Sequence, residues 1–176
     1  MTECIRSFPN PAQGARLFLL ESNVSVLHLQ PCEGYCILKE IPEQAFTSSN
    51  ITSVIIPEGV KTIGMGAFAY CEDLVYVDLP STLTSIETMA FYQNGDMYGG
   101  WYAPLLYVGT VICRSVNPPY IGFQTDNVCF TIPGECWDGA LYVPDEYVGT
   151  YEDSYWAWYF CNDAGLRILP LSELPE

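Results

Sequence analysis

The chain contains a single histidine, His28, which lies between Leu27 and Leu29. Catalysis by a Ser–His or Cys–His pair would have to use this residue, because imidazole is the base that activates such nucleophiles. No Gly-x-Ser-x-Gly turn accompanies it. In an alternating strand pattern His28 falls on the face opposite its apolar neighbours. We therefore expect a solvent-facing strand residue, and we predict that the chain has no catalytic residues.

Adjacent carboxylates are the second group that could do chemistry. They occur as the pairs Glu72/Asp73, Asp145/Glu146 and Glu152/Asp153. Glycoside hydrolysis requires two carboxyl groups that face each other across a substrate. These pairs instead fall in predicted turns or on a predicted helix surface, where acids normally face water. No calcium-loop motif is present, so neither a metal ion nor a cofactor is expected.

Cysteines are the third group, and there are eight of them. Cys32-x3-Cys36 has the spacing of half a zinc site, but Cys129-x6-Cys136 is too wide to supply the other half. Buried thiols that act as small apolar side chains are the simplest interpretation for most of the cysteines. The sequence leaves open whether Cys32 and Cys36 form a disulfide.

The acidic balance of the chain bears on its partners. It has 21 acidic and 6 basic residues, a net charge of −15, and no local cluster of lysine and arginine. Nucleic acid and anionic membrane surfaces are therefore not expected as partners. No apolar run approaches the roughly 20 residues that cross a bilayer, so no membrane insertion is expected. With 176 residues, 49% hydrophobic and 15% charged, the composition predicts one folded domain.

The segment 51–91 contains the same pattern twice, and all the matched positions are separated by one constant interval. The repeated positions are Ile51/Leu74, Val54/Val77, Ile56/Leu79, Pro57/Pro80, Val60/Leu83, Ile63/Ile86, Ala67/Ala90 and Phe68/Phe91. A period in the twenties that opens with the spacing L-x-x-L-x-L is typical of leucine-rich repeats. Each opening predicts a short strand that the proline ends, followed by a returning limb. Gly64 and Gly66 predict a tight turn, after which we expect successive phenylalanines to stack along the axis.

Further copies flank this clean pair. The 0, 3, 5 spacing recurs at Val24/Leu27/Leu29 and at Val108/Val111/Cys113. Leu141–Pro144 predicts a fifth strand, Asp145 a helix N-cap, and Ile168–Leu169 a closing segment. The following positions predict one helical face: Val148, Tyr151, Tyr155 and Trp158. The single domain 1–176 thus divides into a cap (1–23), repeats (24–123) and an atypical last repeat with a C-terminal cap (124–176).

Residues 51–74, ITSVIIPEGVKTIGMGAFAYCEDL, resemble the BspA-like (treponemal-type) leucine-rich repeat. That family's pattern is L-x-x-V-x-I-P-x-x-V-x-x-I-G-x-x-A-F-x-x-C-x-x-L, and the resemblance covers residues 51–91. It implies an α/β repeat solenoid, namely a short right-handed coil with parallel strands on its concave face, an irregular N-terminal cap and a C-terminal helical cap. It also implies a non-enzymatic binding module displayed outside a bacterial or protist cell.

Strand positions that alternate with the core form two ladders on the predicted concave face. One contains His28, Ile55, Asp78, Ile112 and Tyr142, and the other contains Val26, Ser53, Tyr76 and Thr110. Isoleucines and tyrosines on an exposed sheet are typical of the centre of a protein interface. We predict that these ladders form the binding site. The alternative is that β-branched residues are present because they suit strands.

The insertion at residues 94–103 has the richest turn chemistry of the chain. It carries Tyr98, Trp101 and Tyr102 beside Asn94 and Asp96. Exposed aromatic rings next to polar side chains could stack on sugars, which makes this insertion a secondary candidate site. The alternative is that the rings fold back and pack over the edge of the repeats.

Three functions remain open. The first is a secreted or cell-surface adhesion protein that binds a protein or matrix ligand through the concave face. The second is a carbohydrate-binding module that uses residues 94–103. The third is a structural component of a larger assembly, such as a virion or a surface layer. The third is motivated by the lack of an export signal after Met1, and it would place the chain in a virion or the cytoplasm.

The cysteines discriminate between compartments. Cys71 lies on the cysteine position of the family pattern, and Cys113 occupies an inward strand position. We predict that neither forms a disulfide in any compartment. Cys32, Cys36 and the pair Cys129/Cys136 lie in predicted loops, where a bridge is geometrically feasible.

Overall fold

The computed structural model describes residues 26–28, 38–92, 109–122, 139–162 and 165–175. The long sheet consists of six parallel strands, in the order Val26–His28 (β1), Ser53–Ile55 (β3), Tyr76–Leu79 (β5), Thr110–Cys113 (β7), Ala140–Val143 (β9) and Ile168–Pro170 (β12). The short sheet consists of Glu40–Ile41 (β2), Thr62–Ile63 (β4), Ser85–Ile86 (β6) and Tyr120–Ile121 (β8). Cys161–Asn162 (β10) and Gly165–Leu166 (β11) form an antiparallel pair.

The first eight strands alternate between the two sheets, so that each repeat contributes one strand to each. One register position of the long sheet forms a continuous column: Leu27, Val54, Val77, Val111, Leu141 and Ile168. From Val54 onwards the side chains of this column are buried. The length of chain between successive members varies: it is shortest from Val54 to Val77 and longest from Val77 to Val111. The predicted fourth and fifth strands are therefore confirmed, and the register holds although the spacing varies.

The short sheet has an equivalent inward column, formed by Ile41, Ile63, Ile86 and Ile121. The predicted stacking of phenylalanines is confirmed. The rings of Phe46, Phe68 and Phe91 lie 5.2 Å apart at each step and are almost parallel. These apolar columns form one core between the two sheets, and burial of such side chains is the main force that holds the fold.

The turn before each phenylalanine requires unusual backbone geometry. Gln44, Gly66 and Met89 occupy the same place in successive turns, with φ of 54°, 61° and 59°. This left-handed conformation costs a residue with a side chain about 1–2 kcal/mol. Gly64 is needed for a different reason, since a Cβ there would lie 2.7 Å from the backbone nitrogen of Glu43. The predicted role of Gly64 and Gly66 in a tight turn is confirmed.

The C-terminal part contains the helical elements of the described residues. They are a 3-10 turn at Asp145–Tyr147, α1 at Val148–Glu152, α2 at Trp156–Tyr159 and a second 3-10 turn at Leu171–Glu173. Two predictions here are wrong. Asp145 is the first residue of the turn rather than an N-cap, and its carboxylate accepts a hydrogen bond from the backbone N–H of Ser172 (3.1 Å).

The second error concerns the predicted continuous helix, which is two short helices. Ser154 separates them: its hydroxyl donates to the carbonyl of Tyr151 (2.6 Å) and accepts from the N–H of Trp156 (3.2 Å). Such side-chain bonds to the backbone compete with helix continuation. In consequence Tyr155 is 75% exposed, whereas Tyr151, Trp156 and Phe160 are buried.

Residues 1–23, and with them the predicted N-terminal cap, lie outside the described part. Among the described residues, no helix is long and apolar enough to cross a membrane.

Candidate binding face

The two predicted ladders form adjacent rows on one side of the long sheet, which we call the outer face. Register places one row in the order His28, Ile55, Asp78, Ile112, Tyr142. The other row is Val26, Ser53, Tyr76, Thr110, and Ala140 continues it. Strands in a sheet lie about 4.8 Å apart. The residues predicted from the sequence are thus brought together by the strand register.

Three of these residues are not exposed, contrary to the prediction: Asp78, which is described below, and the apolar residues Ile112 and Tyr142. Ile112 is 0% exposed and Tyr142 is 8% exposed. Together with Ala140 they form a second apolar cluster, on which partly buried side chains pack: Tyr76, Leu169, Leu171 and Leu174. The reason is that the chain turns back after β12 and lays its second 3-10 turn over this end of the outer face.

Asp78 is held in an ion pair that the sequence did not predict. The Arg114 guanidinium donates from Nε to Oδ1 and from Nη2 to Oδ2 of Asp78, both at 2.8 Å. The side chain of Asp78 is 11% exposed and that of Arg114 is 44% exposed. Such bidentate geometry fixes both groups. The hydrogen bond to Asp78, together with the nearby charge, raises the pKa of Arg114.

Tyr76 stands next to this ion pair and is half-buried. Burial raises the pKa of its phenol, the charge of Asp78 raises it further, and Arg114 opposes the shift. The phenol therefore stays neutral at physiological pH. It offers an aromatic surface together with a polar hydroxyl, the combination that suits Tyr to interfaces.

The part of the outer face that stays accessible is smaller than predicted. Ser53, Ile55, Tyr76 and Thr110 are each partly exposed, and we call these four residues the open patch. The half-exposed Arg114 lies beside it. The backbones of Val26 and His28 extend the two rows in register, and their side chains are not part of the description.

The secondary candidate site lies outside the described residues. Tyr98, Trp101 and Tyr102 belong to residues 93–108, which lie between the described residues Tyr92 and Gly109. Sugar binding by this insertion stays a prediction.

The carboxylate pairs behave as expected from the sequence. All six side chains are exposed: Glu72, Asp73, Asp145, Glu146, Glu152 and Asp153. Among the described residues, no group of three or more histidine, cysteine, aspartate or glutamate side chains is arranged to hold a metal ion.

Cys71 and Cys113 are buried thiols, as predicted. The Cys71 thiol donates to the carbonyl of Phe46 (3.1 Å), and burial raises its pKa to about 11. Cys113 Sγ lies 3.1 Å from the hydroxyl of Tyr151, which itself donates to the carbonyl of Ser115 (2.9 Å). Burial raises the pKa of Cys113 to about 11 as well. Both thiols therefore contribute to packing rather than to chemistry.

The comparisons with known proteins agree with the repeat pattern. The family described as "BspA type Leucine rich repeat region (6 copies)" matches residues 39–97, about a third of the chain. The resemblance predicted from the sequence is thereby confirmed over that stretch. Leucine-rich repeats generally mediate protein interactions and are typically not catalytic, and those of the BspA type are often associated with surfaces. A search of curated proteins finds no significant match.

Proposed function

We propose, from the BspA-type repeat at residues 39–97 and the geometry of the outer face, that this chain is a non-enzymatic module that binds a protein partner. The observation that supports the proposal most directly is the open patch. It combines Ile55 and Tyr76 with the small polar residues Ser53 and Thr110 on adjacent parallel strands.

The finer architecture belongs to the same proposal. The first eight strands alternate between two parallel sheets in constant register. Parallel strands joined by a crossover are almost always connected with right-handed geometry. We therefore describe the repeats as a short right-handed solenoid whose concave side is the outer face. A rigid face of this kind loses little conformational entropy on binding.

The chemistry of the open patch suits a protein surface. Apolar and aromatic side chains at the centre of an interface supply most of the binding energy, and a polar rim excludes water around them. Ile55 and Tyr76 form this centre. Arg114 and Asp78 form part of the rim, and because each holds the other, they lose little freedom when a partner binds.

We propose that the chain binds its partner as a cell-surface or secreted protein. This location is supported by the frequent surface association of BspA-type repeats. Limited proteolysis of intact source cells tests it: a surface protein is digested while the cells remain whole. Protection of the chain until the cells are lysed would contradict this location.

The binding proposal is tested with a panel of purified extracellular-matrix proteins immobilised on a biosensor. The variant Ser53→Arg/Ile55→Lys places two charges in the open patch. It should reduce binding at least about tenfold, because an unpaired charge is costly at the centre of an interface. Neither residue belongs to the buried core, so the unfolding midpoint should hardly change.

The matched control is Thr62→Arg/Val116→Lys, which adds the same charges outside the outer face. Thr62 lies in the short sheet and Val116 is exposed. Equal effects of the two double variants would show a general effect of charge. Binding by the unmodified chain that survives Ser53→Arg/Ile55→Lys would place the site elsewhere.

A further inference from the structure

The second 3-10 turn covers part of the outer face, and we call residues 171–174 the strap. The surface beneath it consists of Ile112, Ala140 and Tyr142, which we call the floor. The floor belongs to the same two rows as the open patch, because Thr110 pairs with Ala140 and Ile112 pairs with Tyr142. The outer face is therefore one surface, of which one end is occupied by the chain itself.

The strap contacts the floor through two leucines. Leu171 and Leu174 stand at positions i and i+3, and both pack against the floor. In a 3-10 turn, side chains at positions i and i+3 lie on the same side. Ser172 and Glu173, between them, are exposed. The strap thus interacts in the manner of a short peptide with two apolar anchors.

The strap and the floor differ in how firmly they are held. The floor residues are buried and lie on strands paired on both sides. Leu171 and Leu174 are only partly buried. Ser172 donates its N–H to the exposed carboxylate of Asp145, and Leu174 donates its N–H to Leu171 within the strap itself.

We propose that the strap is a displaceable ligand bound in cis, and that the floor accepts in its place a peptide carrying two leucine-like side chains at positions i and i+3. The inference rests on the proposed function insofar as the floor continues the binding face. Beyond that function, the inference assigns the floor as a second subsite and a peptide with two leucine-like side chains as its ligand. It also assigns the strap as the competitor that controls access to the floor. A partner would then occupy the open patch and the floor together after the strap has moved away.

The strap competes with an added peptide for the floor, and this competition lowers the apparent affinity of the peptide. A tethered segment acts at a local concentration in the millimolar range. A free peptide therefore binds the unmodified chain only weakly, and removal of the two leucines should strengthen its binding at least about tenfold.

The experiment uses the full chain with Leu171→Ser and Leu174→Ser. The probe is a fluorescein-labelled synthetic peptide of residues 169–175, followed by fluorescence anisotropy. We expect saturable binding to this variant, binding at least about tenfold weaker to the unmodified chain, and none by a peptide in which Leu171 and Leu174 are replaced by serine while Leu169 is kept. Absence of binding to the variant, or equal binding to the variant and to the unmodified chain, would overturn the proposal.

A matched variant and a second measurement guard against a trivial result. Met65→Ser/Val116→Ser removes two exposed apolar side chains that lie outside the floor, and its peptide binding should equal that of the unmodified chain. Ile55→Lys should leave peptide binding to the strap variant unchanged, so that failure of the open patch and failure of the floor give different results.

Hydrogen exchange of the unmodified chain tests displacement without any substitution. The Leu174 amide, which bonds within the strap, should exchange at least about 100-fold faster than the Leu141 amide, which bonds to the Arg167 carbonyl (2.9 Å), because the strap opens locally. Equal protection of the two amides, or unfolding of the Leu171→Ser/Leu174→Ser variant, would show that the strap is an inseparable part of the fold and would overturn the proposal.

Discussion

The ion pair between Asp78 and Arg114 should respond asymmetrically to substitution. Its two hydrogen bonds are both 2.8 Å long, but the Asp78 side chain is 11% exposed and the Arg114 side chain is 44% exposed. Replacing Arg114 leaves a nearly buried carboxylate without its partner. Replacing Asp78 leaves a guanidinium that water can reach. The loss of Arg114 should therefore be the more costly change.

The magnitude follows from these exposures. Removing one partner of a fully buried pair costs about 3–5 kcal/mol, and since half of Arg114 is hydrated we expect about 2–3 kcal/mol for Arg114→Met, which keeps the apolar stem. Asp78→Ala should cost about 1 kcal/mol, because the remaining charge stays partly solvated. The double variant should also cost about 1 kcal/mol, which gives a coupling energy of about 2–3 kcal/mol between the two residues.

Urea unfolding followed by tryptophan fluorescence measures all three free energies, and the chain has four tryptophans. For a chain of this length, Arg114→Met should also lower the Tm by about 5–10 °C. A cost of Asp78→Ala equal to or above that of Arg114→Met would refute the reasoning from exposure. Additive costs in the double variant would refute the pairing itself.

Three further changes test the scaffold by the same unfolding assay. Phe68→Ala should cost about 3–5 kcal/mol, because its ring is stacked at 5.2 Å on both sides; a loss below about 1 kcal/mol would contradict this. Met89→Gly should raise the free energy of unfolding by about 0.5–1 kcal/mol, because glycine adopts a φ of 59° without strain. Glu43→Gly, in an equivalent turn, is the control and should lower the free energy of unfolding. Stability should fall as pH rises from 9 towards 11, because burial raises the pKa of Cys71 and of Cys113 from 9.0 to about 11, and the folded state keeps protons that the unfolded chain releases. Cys113→Ala should make this part of the curve less steep while the contribution of Cys71 remains, and an unchanged slope would contradict the assignment.

The repeat architecture was predictable from the sequence because its determinants are local and periodic. Val54 and Val77 occupy equivalent positions of consecutive repeats and stack directly in the sheet. Phe68 and Phe91 obey the same period and stack in the turns. Burial on one side of a strand restricts these positions to apolar residues, and this restriction appears as a pattern.

The composition of the binding face was only partly predictable, because its key contacts are distant in sequence. Alternation placed Ile112 correctly on the outer face, but two of the four side chains that cover its cluster come from the strap, a short segment with no period. Arg114 reaches Asp78 across an insertion between their strands, so that 36 residues separate the two. An acid within an apolar strand was the available signal that Asp78 needs a cationic partner.

The helix break had a local signal that periodicity concealed. Val148, Tyr151 and Tyr155 fit one helical face, yet the buried successor of Tyr151 is Trp156. Asp153-Ser154 just before Trp156 is a polar pair of the kind that starts a new helix, and the Ser154 hydroxyl does bond to the Trp156 N–H.

The constant register of the long sheet has an evolutionary consequence. Equivalent strand positions are separated by unequal lengths of chain, short from Val54 to Val77 and long from Val77 to Val111, yet every strand meets its neighbour in the same alignment. Gains and losses of length are therefore absorbed between strands and are not propagated along the stack. Such a chain can acquire new loops one at a time while its packing stays unchanged. The same property makes the connections between strands natural sites at which a foreign peptide can be grafted.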